Sequence, residues 1–231
     1  MRLPSRSTSA RILLVFYGAY LMVRLGVESL LAEILEFFRP FQERLTSCLE
    51  AYDRAVLRAQ QALALRDHRD FLLDREILML YNVLLARVGG DRDAASFRAY
   101  FPDGLPAVTR VAAPYELRRV AVLQQKLAEE AIPEIAAYGA PIAAAAQALQ
   151  EALDGYTQAL TAREAASGLL EVEKAKWLDG YAQTFRRLQL HFHDDPKRAE
   201  EFFRVRPRKG TPIEEPKATA PEPAQSATAT S

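Results

Sequence analysis

The sequence predicts an all-α protein: an elongated antiparallel bundle of about four long helices, with short accessory helices and a disordered C-terminal tail. Two stretches carry that prediction. The run from Phe41 to Val88 holds neither glycine nor proline and is bracketed by Pro40 and Gly89-Gly90, the punctuation of a helix start and stop. At a rise of about 1.5 Å per residue it would reach roughly 70 Å, far beyond three to four turns, so its apolar stripe needs partners. The stretch from Pro141 to about Leu190 is long enough to lie antiparallel along it.

Residues 1–11 are short, polar and basic and read as a disordered N-terminus. The apolar run Ile12 to Val23 follows. Its basic approach resembles a secretory signal, yet no small-x-small cleavage site comes after it. Arg24 and Glu28 interrupt it well short of the about 20 apolar residues a membrane span needs. The spacing predicts one helix from about Ser9 to Phe38. Phe16, Tyr20, Val23, Val27, Leu30, Ile34 and Phe37 form its stripe, and Arg24 pairs with Glu28 at i, i+4. Its first half is apolar all round, which fits burial, an oligomer contact or a membrane.

In the long helix Phe41, Leu45, Cys48, Tyr52, Ala55, Ala59 and Ala62 keep a heptad-like step. That register then lands on the charged run Arg66-Asp67-His68-Arg69-Asp70, and a new stripe starts: Leu73, Ile77, Leu80, Leu84 and Val88. The seam shifts there, through a bend or a change of partner, and the alternating charges read as a solvated surface.

Between Gly89 and Arg110, Asp93 is positioned to cap a short helix over 94–101 that carries Phe97, Tyr100 and Phe101. Pro102-Asp103-Gly104 makes a tight turn. The aromatics fit a plug closing one end of a bundle. The sharper reading is an interaction surface formed by Phe97, Arg98, Tyr100, Phe101, Asp103 and Arg110. A third helix starts at Pro114 with Leu117, Val120, Leu123, Leu127, Ala131 and Ile135 on its stripe; Pro133 kinks or breaks it. The fourth, from Pro141, presents Ile142, Ala146, Leu149, Leu153, Tyr156 and Leu160, then Leu170, Trp177, Tyr181 and Leu188. Small residues over 162–168 suggest crowding or a bend. Asp195 and Pro196 open a last short helix that buries Phe202 and Phe203. The domain reading is a disordered N-terminus over 1–11, a bundle over 12–204 with 12–39 as an anchor or oligomer contact, and a disordered Pro/Ala/Thr-rich tail over 205–231.

Composition bounds function. Apolar residues make up 49% and charged residues 26%, as in ordinary soluble proteins. Thirty basic residues balance thirty acidic ones, so no overall basic excess favours nucleic acid. The single Cys48 excludes an internal disulfide and sits on an apolar stripe as an inert thiol. His191 and His193 lie at i, i+2, which sets two imidazoles on opposite sides of a helix and argues for capping rather than metal. No P-loop, Gly-x-Gly-x-x-Gly, Gly-x-Ser-x-Gly, His-Glu-x-x-His or Glu-x-x-His motif occurs. Arg204, Arg206, Arg208 and Lys209 form a small basic cluster that reads as a solvated linker. The expectation is a non-enzymatic, cytoplasmic helical structural or interaction module. No cofactor or metal is expected, and a protein partner or self-association is. The alternative is a membrane-associated protein anchored through residues 12–23; a metal-binding or enzymatic bundle comes last.

Overall fold

The computed structural model describes residues 3–204 and is all-α, with no strand among them. Met1, Arg2, the expected tail from residue 205 and the basic residues Arg206, Arg208 and Lys209 lie outside the described residues. The elements are α1 (Ala10–Val27), a 3-10 turn (Ser29–Leu31), α2 (Ala32–Arg87), α3 (Ala95–Arg98), α4 (Pro106–Thr109), α5 (Ala113–Ala128), α6 (Pro133–Ala136), α7 (Gly139–His191) and α8 (Pro196–Glu201). The chain forms two compact units, Met1–Arg39 with Gly180–Ser231, and Pro40–Asp179; α2 and α7 contribute to both.

In the first unit, Ser9 caps α1 by accepting a hydrogen bond from the Ile12 N–H at 3.3 Å. Residues 5–8, expected to be disordered, make a turn in which the Thr8 N–H meets the Ser5 carbonyl at 3.0 Å. The single helix expected from Ser9 to Phe38 does not form. Glu28 takes φ −104°, ψ 105°, which ends α1, and the chain restarts through the 3-10 turn. The break also removes the expected Arg24–Glu28 pair: Glu28 binds Arg198 at 3.2 Å, and Arg24 lies over the Phe202 ring at 5.3 Å.

The stripe expected on α1 is displaced too. Leu13, Tyr17, Leu21 and Leu25 face the core, while Val23, Val27 and Leu30 face solvent. Residues Leu13–Gly18 form a π-helical turn, closed by the Ala19 N–H bonding to the Leu14 carbonyl, and this wider turn shifts every later side chain from a 3.6-residue register. An aromatic cluster fills the core. Tyr181 packs edge-on against Tyr17, Phe38 and Phe203, with centroids 6.1, 6.0 and 5.0 Å away. Phe202 and Phe203 are buried as expected, although Asp195 makes no side-chain cap to α8.

The second unit is organised by α2 and α7. The Trp177 indole N–H donates to Gln42 Oε1 at 2.9 Å, and the Arg66 guanidinium lies over the Tyr156 ring at 5.2 Å. As the α2 number rises the α7 number falls, so these stretches run antiparallel. The helix is continuous through residues 66–70, and it does not begin after Pro40. Pro40 lies inside it, where its missing N–H withdraws one bond from the Glu36 carbonyl without ending the helix.

Both predicted α2 stripes face inward. Leu73, Ile77, Leu80 and Leu84 join Val120, Leu123 and Leu127 of α5 and Ile142 and Leu149 of α7 in one core. α5 stops at Ala128, and Pro133 opens the separate turn α6. The α7 helix crosses 162–168 unbroken, and a Cβ at Gly168 would meet nothing within 4 Å, so the expected crowding is absent at that glycine. The α2 C-terminus closes in a Schellman arrangement: Gly90 N–H to Leu85 carbonyl at 2.9 Å and Gly89 N–H to Ala86 carbonyl at 3.1 Å, with φ of +89° and +64°.

Candidate interaction surface and buried carboxyl cluster

The six residues expected at an interaction surface fall into two groups. Phe97 and Phe101 point into the second unit's core, each 5.2 Å from the Tyr81 ring, and are closed to a partner. Arg98, Asp103 and Arg110 are exposed. Asp93 makes no cap: Ala94 precedes α3, and Asp93 binds Arg98 at 2.7 Å instead. Half-buried Tyr100 donates its hydroxyl to the Glu130 carboxylate, which holds Glu130 below the usual carboxylate range. Burial first, then that acceptor, push the Tyr100 phenol up to about 12. The Phe101–Gly104 turn forms as read, with Gly104 at φ +77° and its N–H on the Phe101 carbonyl at 3.2 Å.

A different surface stands out on α1. Val15, Ala19, Val23 and Val27 follow one another at four-residue steps along an exposed face, with Ile12 and Leu30 at its ends. Val15 is 70%, Val23 67%, Val27 78% and Leu30 83% exposed. The core-facing row Leu13, Tyr17, Leu21 and Leu25 keeps the same four-residue step. This is why the sequence reads as apolar all round: one face is used by the fold, and the other is left for solvent. Burying a Val or Leu side chain stabilises by about 1.5–3 kcal/mol, and that gain is left unused along this face. By length and composition Ala10–Val27 could also cross a membrane.

The second site is internal. Glu116, in the first turn of α5, is 1% exposed, and it meets Asp70 and Asp74, one turn apart on α2. Oxygens of all three, Asp70 Oδ1, Asp74 Oδ1 and Glu116 Oε1, are buried without a hydrogen-bond donor, and among the described residues none of the three has a cationic partner. Burial, reinforced by the charges of Asp74 and Asp70, pushes the Glu116 carboxyl up to about 9; burial also raises Asp74. Glu116 is therefore neutral at pH 7 and supplies the proton that lets three carboxyls share one place. Asp70 thus leaves the solvated surface read for the charged run 66–70, whereas His68 stays exposed. The sequence did carry a signal. Glu116 continues the spacing of Val120, Leu123 and Leu127, so an acid occupies a core position of an amphipathic helix.

Two cavities lie in the second unit. One of about 220 Å³ opens between Ala62, Leu65 and Arg69 of α2 and Ala148, Ala152 and Gly155 of α7. The other, about 60 Å³, lies against Phe97, Tyr100, Arg87 and Glu130. Both are smaller than the roughly 300–1,000 Å³ of small-molecule sites. Among the described residues no group of three or more His, Cys, Asp or Glu is arranged to hold a metal; exposed His193 sits 3.2 Å from Asp194. Cys48 is half-buried on its stripe.

The described residues form an all-α fold with continuous long helices and an exposed apolar ridge on α1. No protein-family model matches the sequence, and neither a curated protein nor a solved structure does.

Proposed function

We propose that this chain is a non-enzymatic helical interaction module, its long helices forming an antiparallel bundle that presents the Ile12–Leu30 ridge to a partner. The ridge carries the reading: Val15, Val23 and Val27 stay in solvent although a core row lies on the same helix. Evenly exposed apolar side chains over several helical turns are costly in water unless something covers them. The reading needs no cofactor and no metal. Phe97, Arg98, Tyr100, Phe101, Asp103 and Arg110 drop to a supporting role, because the aromatic members are committed to the core and to Glu130.

The experiment is cell fractionation of the full chain beside a Val15→Glu/Val23→Glu/Val27→Glu variant. These positions are exposed, so the variant keeps its helicity and thermal transition. Deleting residues 1–23 would be a poorer test, since it removes buried Leu13, Tyr17 and Leu21. The full chain is expected in an assembly or membrane fraction and the variant free. Identical distributions would overturn the reading.

A further inference from the structure

We infer that the ridge docks on the surface of an anionic phospholipid bilayer; this rests on the ridge being a partner surface. Residues 1–27 contain Arg2, Arg6, Arg11 and Arg24 and no aspartate or glutamate. Arg11 precedes Ile12 and lies one turn before Val15, and Arg24 adjoins Val23 one turn before Val27. An apolar helix face bordered by arginines from Ile12 to Val27, with Glu28 at its far end paired to Arg198, matches the headgroup–acyl boundary of an anionic membrane, where the ridge enters the lipid and the guanidinium groups meet phosphate.

The same charges argue against a second copy as the occupant. A two-fold interface sets the same surface on itself, so Arg11 and Arg24 would be brought toward the same two arginines, and Glu28, the one acid between Ile12 and Leu30, already binds Arg198. The geometry further selects lying on the membrane over crossing it. Leu13, Leu14, Tyr17, Leu21 and Leu25 are buried in their own unit, and a spanning helix would have to pull all five from the core. Docking through the exposed face costs the fold nothing, because the side chains that enter lipid are those already in solvent.

The test is flotation of the purified full chain with vesicles of phosphatidylcholine alone and with one-third phosphatidylglycerol, at low and high salt. Binding is expected to the anionic vesicles only and to weaken with salt. Val15→Glu/Val23→Glu/Val27→Glu should abolish flotation. Arg6→Gln/Arg11→Gln, which leaves the apolar side chains of the ridge intact, should weaken it roughly twenty-five-fold, about fivefold per charge near an anionic surface. No flotation, equal flotation on neutral vesicles, or an unaffected valine variant would overturn the inference. So would a dimer in light scattering that the valine variant dissolves, since the ridge would then belong to a second copy. If flotation fails while the fractionation difference between full chain and variant persists, the lipid assignment falls and the docking surface stands. If both vanish, both fall.

Discussion

Replacing Glu116 with glutamine tests the buried carboxyl cluster directly. The folded protein holds the Glu116 proton until about pH 9, whereas an unfolded glutamate loses it near 4.5. Below the unfolded value both states are protonated and the site imposes no ionisation cost. As pH rises from about 4.5, the unfolded chain gains freedom to ionise that the folded chain lacks, so stability falls by up to about 1.4 kcal/mol per pH unit. The fall ends near pH 9, where the folded carboxyl ionises as well. At pH 7 the accumulated loss is of order a few kcal/mol. Glutamine keeps the shape, never ionises, and offers its amide N–H groups to Asp70 and Asp74. Urea unfolding followed by circular dichroism from pH 5 to 9 should show the native chain losing stability across that window. Glu116→Gln should start near the native value at pH 5 and exceed it progressively, with its slope flattened. Asp74→Asn should flatten it in part by removing one like charge. Equal slopes in the native chain and Glu116→Gln would refute the proton-sharing cluster.

Three further outcomes follow from the geometry. Leu80→Ala should cost about 2–5 kcal/mol, because Leu80 is wholly enclosed, and Leu153→Ala distinctly less, because Leu153 is half-buried; equal losses in urea unfolding would contradict the core assignment. Gly90→Ala should cost roughly 1–2 kcal/mol in thermal unfolding through backbone strain alone, since φ is +89° while a Cβ there meets nothing within 4 Å; an unchanged transition would show that the Schellman closure does not hold. Tyr100→Phe should raise the Glu130 carboxyl by removing its hydroxyl donor, read by NMR titration, and an unmoved Glu130 would show that the Tyr100 contact is absent in solution.

The parts of the fold legible in the sequence share one physical basis. Where a helix keeps 3.6 residues per turn, apolar spacing reports its buried face, as in Leu73–Ile77–Leu80–Leu84 and Val120–Leu123–Leu127. Gly89-Gly90 and Gly104 were readable because those turns need positive φ. Misreadings arose where local signals met tertiary context. Pro40 resembles a helix start, yet one missing hydrogen bond is minor within a packed helix. Glu28 lies in an unbroken helical pattern, yet its pairing with Arg198 accompanies an extended backbone. The π-turn at Leu13–Gly18 leaves no mark in spacing, so the Phe16–Tyr20–Val23 row was assigned to the core when Leu13–Tyr17–Leu21 occupies it. The ridge was half legible: an all-apolar segment signalled two apolar faces but not which one the fold would use.

The charged run on α2 links the two halves of this reading. A seam change on a long helix needs a point where one apolar stripe ends before the next begins. In this chain the interval holds Arg66 over the Tyr156 ring and Asp70 and Asp74 against Glu116. An acid trio held by one proton is a poor source of stability, since each oxygen left without a donor costs desolvation. Its contribution is positional. Sliding α5 by one turn along α2 in either direction would leave Glu116 beside only one of the two aspartates. The native register is the one in which all three carboxyls meet, and the aliphatic core of Leu80, Val120, Leu123 and Ile142 supplies the stability that makes this tolerable.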